Sequence, residues 1–160
     1  MKVLIISDTH GYNGNFYKVL KLHKPDMLIH CGDLEGTEDE IRERAGCPVK
    51  MVCGNNDFFS DLPAEEEFEI AGFRCFLTHG HRYRVSVGPE RILDEARSRG
   101  ANVVIYGHTH KPEVTLEGGI YAVNPGSLSY PRQEGRKPSY IIMETDRFGD
   151  LHFTIAYLED

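Results

Sequence analysis

The sequence predicts an α/β domain, and three observations predict it. Short unbroken apolar runs rich in β-branched residues recur along the chain, as in strands buried on both faces. In the N-terminal part they alternate with stretches of helical periodicity through short connections, the pattern of a parallel sheet covered by helices. The second half adds apolar segments in pairs around Gly-containing turns, the pattern of antiparallel strands.

Taken in order, Lys2-Val3-Leu4-Ile5-Ile6 reads as the first buried strand and stops at Ser7-Asp8-Thr9-His10. Gly11 to Asn15 is a turn-rich loop, after which Phe16, Val19, Leu20 and His23 repeat at helical spacing until Pro25. Met27-Leu28-Ile29-His30 is a second strand, ending at Cys31-Gly32-Asp33. Thr37-Glu38-Asp39-Glu40 has the form of a capping box and opens a charged helix through Arg44, whose charges are expected to face solvent. Pro48 to Cys53 is a third strand, ending at Gly54-Asn55-Asn56-Asp57.

Glu67–Ile70 and Phe73–Leu77 flank Ala71-Gly72 as a hairpin that runs into Thr78-His79-Gly80-His81. Pro89 suits a first helical position, and Ile92, Leu93 and Ala96 form an apolar stripe that ends before Gly100. Val103–Tyr106 is a further buried strand, ending at Gly107-His108-Thr109-His110. Glu113–Leu116 with Ile120–Val123, and Tyr140–Met143 with Leu151–Tyr157, are expected to form an antiparallel meander whose exposed edges could pair across a homodimer.

Composition narrows the function. The chain has 160 residues, enough to bury one core, and no linker, repeat or low-complexity stretch argues for a second domain, so residues 1–160 are expected to form one. No apolar run approaches the length of a membrane span, and the first run is too short for a signal peptide, so a cytoplasmic location without membrane association is expected. A formal net charge of −7 repels a phosphate backbone and disfavours nucleic acid as a partner. Cys31, Cys47, Cys53 and Cys75 form no C-x-x-C pair, and Cys31, Cys53 and Cys75, in or beside apolar strands, read as reduced buried thiols.

The strand endings carry the chemistry. Asp8-x-His10, Gly32-Asp33, Gly54-Asn55, His79-Gly80 and Gly107-His108-x-His110 place oxygen and imidazole donors after five separate strands. One Asp after a strand is ordinary turn chemistry, and a lone His is usually structural. Five endings of this kind are not explained by capping, which would favour Ser and Thr and would not select His. Strand ends of an open sheet can converge on one site.

This motif set, in this order, resembles the calcineurin-like metallophosphoesterase superfamily. Asn124-Pro125-Gly126-Ser127 and the short length resemble its small prokaryotic phosphodiesterase branch. The resemblance implies a two-layer β-sandwich flanked by helices, with two divalent ions at one end. It assigns Asp8, His10 and His110 to the first ion, Asn55, His79 and His108 to the second, and Asp33 as the bridge. Manganese is the first expectation, with nickel, iron, zinc or cobalt also suiting these donors. The implied reaction is hydrolysis of a small phosphodiester by a metal-bridging hydroxide, between ions about 3.5–4 Å apart. A phosphomonoesterase, or a non-catalytic scaffold of the retromer-subunit type, is the alternative.

One position departs from the pattern. Many family members carry His directly after the motif Asn, where it assists the leaving group. Here that catalytic position is Asn56, followed by Asp57. An amide donates a hydrogen bond but delivers no proton at neutral pH. His81 could substitute, although a solvated loop histidine is the plainer reading. His30 reads as a satisfied strand-end histidine that could support Asp33, and His23 and His152 as chemically idle; Arg82 and Arg84 could reach a phosphate, although solvated loop residues are the plainer reading.

Overall fold

The computed structural model describes residues 1–159. The first half holds β1 (Lys2–Ile6), α1 (Gly14–His23), β2 (Met27–His30), α2 (Glu38–Ala45) and β3 (Val49–Met51). A hairpin of β4 (Glu65–Ile70) and β5 (Phe73–Thr78) follows, then a single 3-10 turn at His81–Tyr83, α3 (Glu90–Ser98) and β6 (Val103–Ile105). The chain closes with β7 (Pro112–Glu117), β8 (Ile120–Pro125), β9 (Ser139–Thr145) and β10 (Leu151–Tyr157).

These strands form two five-stranded mixed sheets, ordered β10-β9-β1-β2-β3 and β4-β5-β6-β8-β7. β1, β2 and β3 are parallel, as are β5, β6 and β8, so each sheet aims three carboxyl ends in one direction. The sheets stack face to face with helices outside, the two-layer sandwich that the motif set implies.

The unbroken apolar runs follow from this layering. Val3 and Ile5 point between the sheets, among Ile29, Leu77, Ile105 and Val123. Their neighbours Leu4 and Ile6 point outwards and pack with Phe16 and Val19 of α1 and Ile41 of α2. A strand with a core on each side has no polar face, so its period-2 alternation is invisible in sequence. The second sheet does the same: Phe76 and Val104 turn outwards onto Ile92, Leu93 and Ala96 of α3. Each α3 side chain named in that stripe is buried.

Local predictions fare unevenly. Ala71 and Gly72 have φ of 51° and 85°, and Gly118 and Gly119 have 58° and 79°, the paired positive angles of tight hairpin turns. Thr37 does precede α2, but its hydroxyl donates to Leu34 O at 2.8 Å rather than capping the helix. Pro89 stands one position ahead of α3, as its N-cap. β3 is shorter than expected: Val52 N–H still reaches His30 O of β2 at 3.3 Å, and the next residue turns away, Cys53 N–H donating to Pro63 O at 2.9 Å.

The expected C-terminal meander does not form. β7 and β8 pair as predicted but belong to the second sheet, where β8 runs parallel to β6. β9 and β10 pair as predicted but belong to the first, where β9 runs antiparallel to β1. Alternation identifies partners joined by a tight turn and is silent on which sheet edge each pair adopts. The intervening segment crosses between the sheets and is tied down on the way: Leu128 N–H donates to Ser7 O at 3.2 Å, and Ser139 Oγ to Pro125 O at 2.7 Å.

Candidate metal centre

At the carboxyl ends of the parallel strands the backbone turns abruptly. Asp8, His10, Asp33, His108 and His110 all have positive φ, between 49° and 72°. Non-glycine residues pay about 1–2 kcal/mol for this conformation, and five of them together mark a place where geometry outranks local comfort. The adjoining glycines explain how the loops come so near. A Cβ on Gly54 would lie 2.2 Å from Asp33 Oδ1, and one on Gly107 would lie 2.1 Å from Ser7 Oγ and 2.7 Å from Asp8 Oδ2. Only glycine permits these approaches.

The donors are held by hydrogen bonds that leave their inward atoms bare. Asp8 Oδ2 accepts from Ser7 Oγ at 2.5 Å and from His108 N–H at 3.0 Å. Asp8 Oδ1, fully buried, makes no hydrogen bond. His79 donates Nδ1–H to Cys31 O at 2.7 Å, and His110 donates Nδ1–H to Tyr130 O at 2.6 Å. Each carbonyl holds the Nδ1–H side of its ring, so Nε2 of both rings faces inwards. Asp8 Oδ1 lies 3.2 Å from His110 Nε2 and 3.8 Å from both His79 Nε2 and His10 Nε2. Asp33 Oδ2 lies 3.4 Å from His79 Nε2 and 3.7 Å from His10 Nε2.

Two compact donor groups result, Asp8 with His10 and His110, and Asp8 with Asp33 and His79. Both carboxylates therefore touch imidazoles of both groups. Asn55 and His108 sit together alongside, with Asn55 Oδ1 3.1 Å from His108 Nδ1 and the His108 ring centroid 5.1 Å from that of His79. Converging lone pairs of buried carboxylates and imidazoles repel one another unless a positive charge stands among them. The donor set of carboxylate, amide and imidazole with no thiolate fits divalent cations of the first transition series.

Titration points to the same need. Burial alone would raise the Asp8 and Asp33 carboxyls, but His110 and His79 around Asp8, and His79 with the Asn56 amides at Asp33, hold both below the ordinary carboxylate value. Burial likewise opposes charge on His79, yet Asp33 and Asp8 outweigh it and lift its pKa to about 9.

A second ring of residues builds the first. Asp57 accepts four backbone N–H groups: Asp33 and Gly54 at 2.7 Å on one oxygen, Leu34 at 2.8 Å and Glu35 at 2.7 Å on the other. In the sequence, Asp57 stands out only as the neighbour of Asn56. Ser127 Oγ donates to Asp8 O at 2.8 Å, and Asn124 Nδ2 donates to Gly107 O at 3.1 Å and Thr109 Oγ1 at 2.9 Å. His30 is fully buried and satisfied, accepting from Gly32 N–H on Nδ1 and donating to Thr9 Oγ1 from Nε2. Burial lowers its pKa to about 3, so it serves as a neutral tie between two ligand loops.

Asn56 donates twice to Asp33, from its backbone N–H to Oδ1 at 2.9 Å and from Nδ2 to Oδ2 at 3.0 Å. In this arrangement it positions Asp33. His81 is not a freely solvated loop residue: its ring packs 5.4 Å from His79 and 6.1 Å from His108, with Nδ1 buried and unpartnered. Arg82 and Arg84 are exposed. His23 pairs with Tyr140 Oη and His152 with Asp146, both remote from the centre.

Comparison with known proteins gives the family to which this fold and donor set belong. The model of the calcineurin-like phosphoesterase superfamily domain matches residues 1–147, and the chain belongs to that superfamily. It is 41% identical to the phosphodiesterase YfcE of Escherichia coli, over 91% of this chain and 89% of that one. The structure of a Streptococcus pneumoniae protein described as a predicted phosphoesterase superposes with a TM-score of 0.82 at 30% identity, covering 98% of this chain and 88% of that one. Vps29 of Entamoeba histolytica, solved with Zn2+, superposes with a TM-score of 0.77 at 26% identity, covering 98% and 99%.

Proposed function

We propose that this chain is a dinuclear-metal-dependent phosphodiesterase acting on a small phosphodiester. Asp8, His10 and His110 would hold one divalent ion, Asn55, His79 and His108 the other, with Asp33 shared between them. The observation that carries the reading is the pair of buried, unpartnered atoms Asp8 Oδ1 and His79 Nε2, brought from the two sheets to one point. When bound, two divalent ions supply Lewis acidity and an activated water for attack on phosphorus.

The chain's own residues do the remainder. Two buried carboxylates against two dications leave the centre positive, so it attracts a phosphate although the protein carries −7. The carbonyls of Cys31 and Tyr130 lock His79 and His110 in orientation. Asn56 offers a hydrogen bond but no proton, so the leaving group departs without an acid at that position. Diesters with acidic leaving groups are the expected substrates. Likeness to a phosphodiesterase supports the diester reading, and manganese is the first expected ion, with nickel, iron, zinc and cobalt suiting the same donors.

The test is hydrolysis of bis-aryl phosphate and of aryl phosphate by protein supplied with each ion in turn, repeated on Asp33→Ala. The diester is expected to be the better substrate, and Asp33→Ala is expected to lose both bound metal and turnover. Faster monoester cleavage would overturn the diester assignment, and retained metal-dependent activity in Asp33→Ala would overturn the role of Asp33. The likeness to Vps29 favours one other reading, a non-catalytic scaffold. Full metal occupancy without turnover of any activated diester would select it.

A further inference from the structure

A cavity of about 630 Å³ opens beside His10 and His110, and its other walls are Glu35, Tyr130, Arg132 and Arg136. The diesterase reading uses only the two histidines. Arg132 is placed by the centre itself, because His110 grips the segment on both sides. Its ring donates to Tyr130 O at 2.6 Å, and its carbonyl accepts Arg132 N–H at 3.0 Å. The rest of the loop is closed by Arg136 N–H to Gln133 O at 3.0 Å and Gln133 Nε2 to Lys137 O at 2.6 Å.

Among the described residues, neither guanidinium has a partner. Arg74 and Arg99 pair with carboxylates of β4, and Lys137 in the same loop pairs with Glu159. Among the described residues, Arg132 and Arg136 form no ion pair. The one carboxylate on the cavity wall, Glu35, lies 3.5 Å from His10 Nδ1 and is directed at that ring. An acidic protein has thus gathered two unpaired arginines in a concavity that opens onto its phosphate-attracting centre. Guanidinium is the side chain best shaped for bidentate capture of phosphate, and a loop ordered in advance loses little entropy on binding. The cavity falls within the size of small-molecule sites, about 300–1,000 Å³, well beyond one phosphate.

We infer that Arg132 and Arg136 form a second anion subsite, which takes a further phosphate group carried on one arm of the diester. This deepens the diesterase reading and rests on it. The natural substrate is accordingly a phosphodiester that also bears a phosphomonoester, as a nucleoside bisphosphate derivative does.

The test compares two aryl esters that differ in that group alone: the 4-nitrophenyl ester of thymidine 5′-phosphate, and the same ester phosphorylated at the 3′ hydroxyl. Calorimetric binding of thymidine 3′,5′-bisphosphate to the metal-loaded protein is measured alongside. Wild type is expected to prefer the phosphorylated ester in kcat/KM. Arg132→Met and Arg136→Met should each cut that preference, and the bisphosphate affinity, by about 10-fold or more, the worth of one charge-assisted hydrogen bond. Lys137→Met removes the same charge outside the cavity and should keep both. Equal use of the two esters by wild type, equal losses in Lys137→Met, or bisphosphate binding indifferent to both arginines would overturn the subsite. Arginine-dependent binding of the bisphosphate with neither ester hydrolysed would leave the subsite standing and overturn the diesterase reading. Hydrolysis of both esters with arginine-independent binding would do the reverse.

Discussion

Asp57 Oδ2 accepts the backbone N–H of Asp33 at 2.7 Å, and that bond fastens the loop after β2 to the loop after β3. With the N–H groups of Leu34, Glu35 and Gly54 it makes Asp57 the anchor for two ligand-bearing turns. Asp57→Ala would leave four backbone donors without their acceptor. Each buried donor left unsatisfied costs about 1–3 kcal/mol, less wherever water reaches it. The expected result is destabilisation by a few kcal/mol, about 2–4, with metal affinity falling 10–100-fold. Thermal unfolding and metal titration check both, and a variant with unchanged metal affinity would show that Asp57 is not needed to shape the site.

Gly54→Ala places a methyl group against Asp33 Oδ1 and Asp33 N, at 2.2 and 2.6 Å. Neither neighbour can retreat, since one is a ligand carboxylate and the other is backbone. Gly14, at the start of α1, has nothing within 4 Å of the added carbon. Gly54→Ala should keep secondary structure by circular dichroism and lose most of its metal, whereas Gly14→Ala should shift stability by less than about 1 kcal/mol. Equal metal content in the two variants would contradict the close approach.

Metal binding should be strongly pH-dependent. His79 has a folded pKa near 9 against an ordinary 6.5, so in metal-free protein its stabilising contribution is complete below pH 6.5 and fades as pH rises through 9. Asp8 and Asp33 are shifted downwards, so they stabilise above 3.8 and lose that contribution on acidification. A cation must displace the His79 proton, so binding near neutral pH releases about one proton. The metal-induced rise in Tm is therefore expected to grow between pH 6.5 and 9. A rise of constant size across that interval would argue against His79 as a ligand.

Asn56 predicts a steep dependence of rate on leaving-group pKa across a series of aryl diesters, with alkyl esters turned over far more slowly. General-acid assistance is typically worth about 10²–10⁴-fold, and the series reads its absence directly. Asn56→His should flatten the dependence by supplying a proton donor. A flat dependence in wild type would mean that another group, with His81 the nearest to hand, already protonates the leaving oxygen.

The strand endings were legible because their chemistry is local. Asp8-Thr9-His10 follows directly on β1, and a carboxylate, an imidazole and a glycine in so few residues stand out whatever the chain does later. The hairpins at Ala71-Gly72 and Gly118-Gly119 were legible for the same reason, since a two-residue turn specifies its own partner strands. Asp57 was not legible, because nothing in Gly54-Asn55-Asn56-Asp57 says that its last residue collects N–H groups from a loop some twenty positions earlier.

By itself, then, the sequence determined which residues could be donors, which segments would be strands, and that the inner strands would be buried on both faces. Apolar periodicity and donor chemistry act within a few residues and need no partner to be read. Only the tertiary structure decided which sheet each C-terminal strand pair joins, that Asp8 Oδ1 and His79 Nε2 meet, buried, where strands of the two sheets end, and that Arg132 lies beside His110. Those are relations between distant stretches of chain, fixed by the joint packing of two sheets and their helices, and no local pattern encodes them.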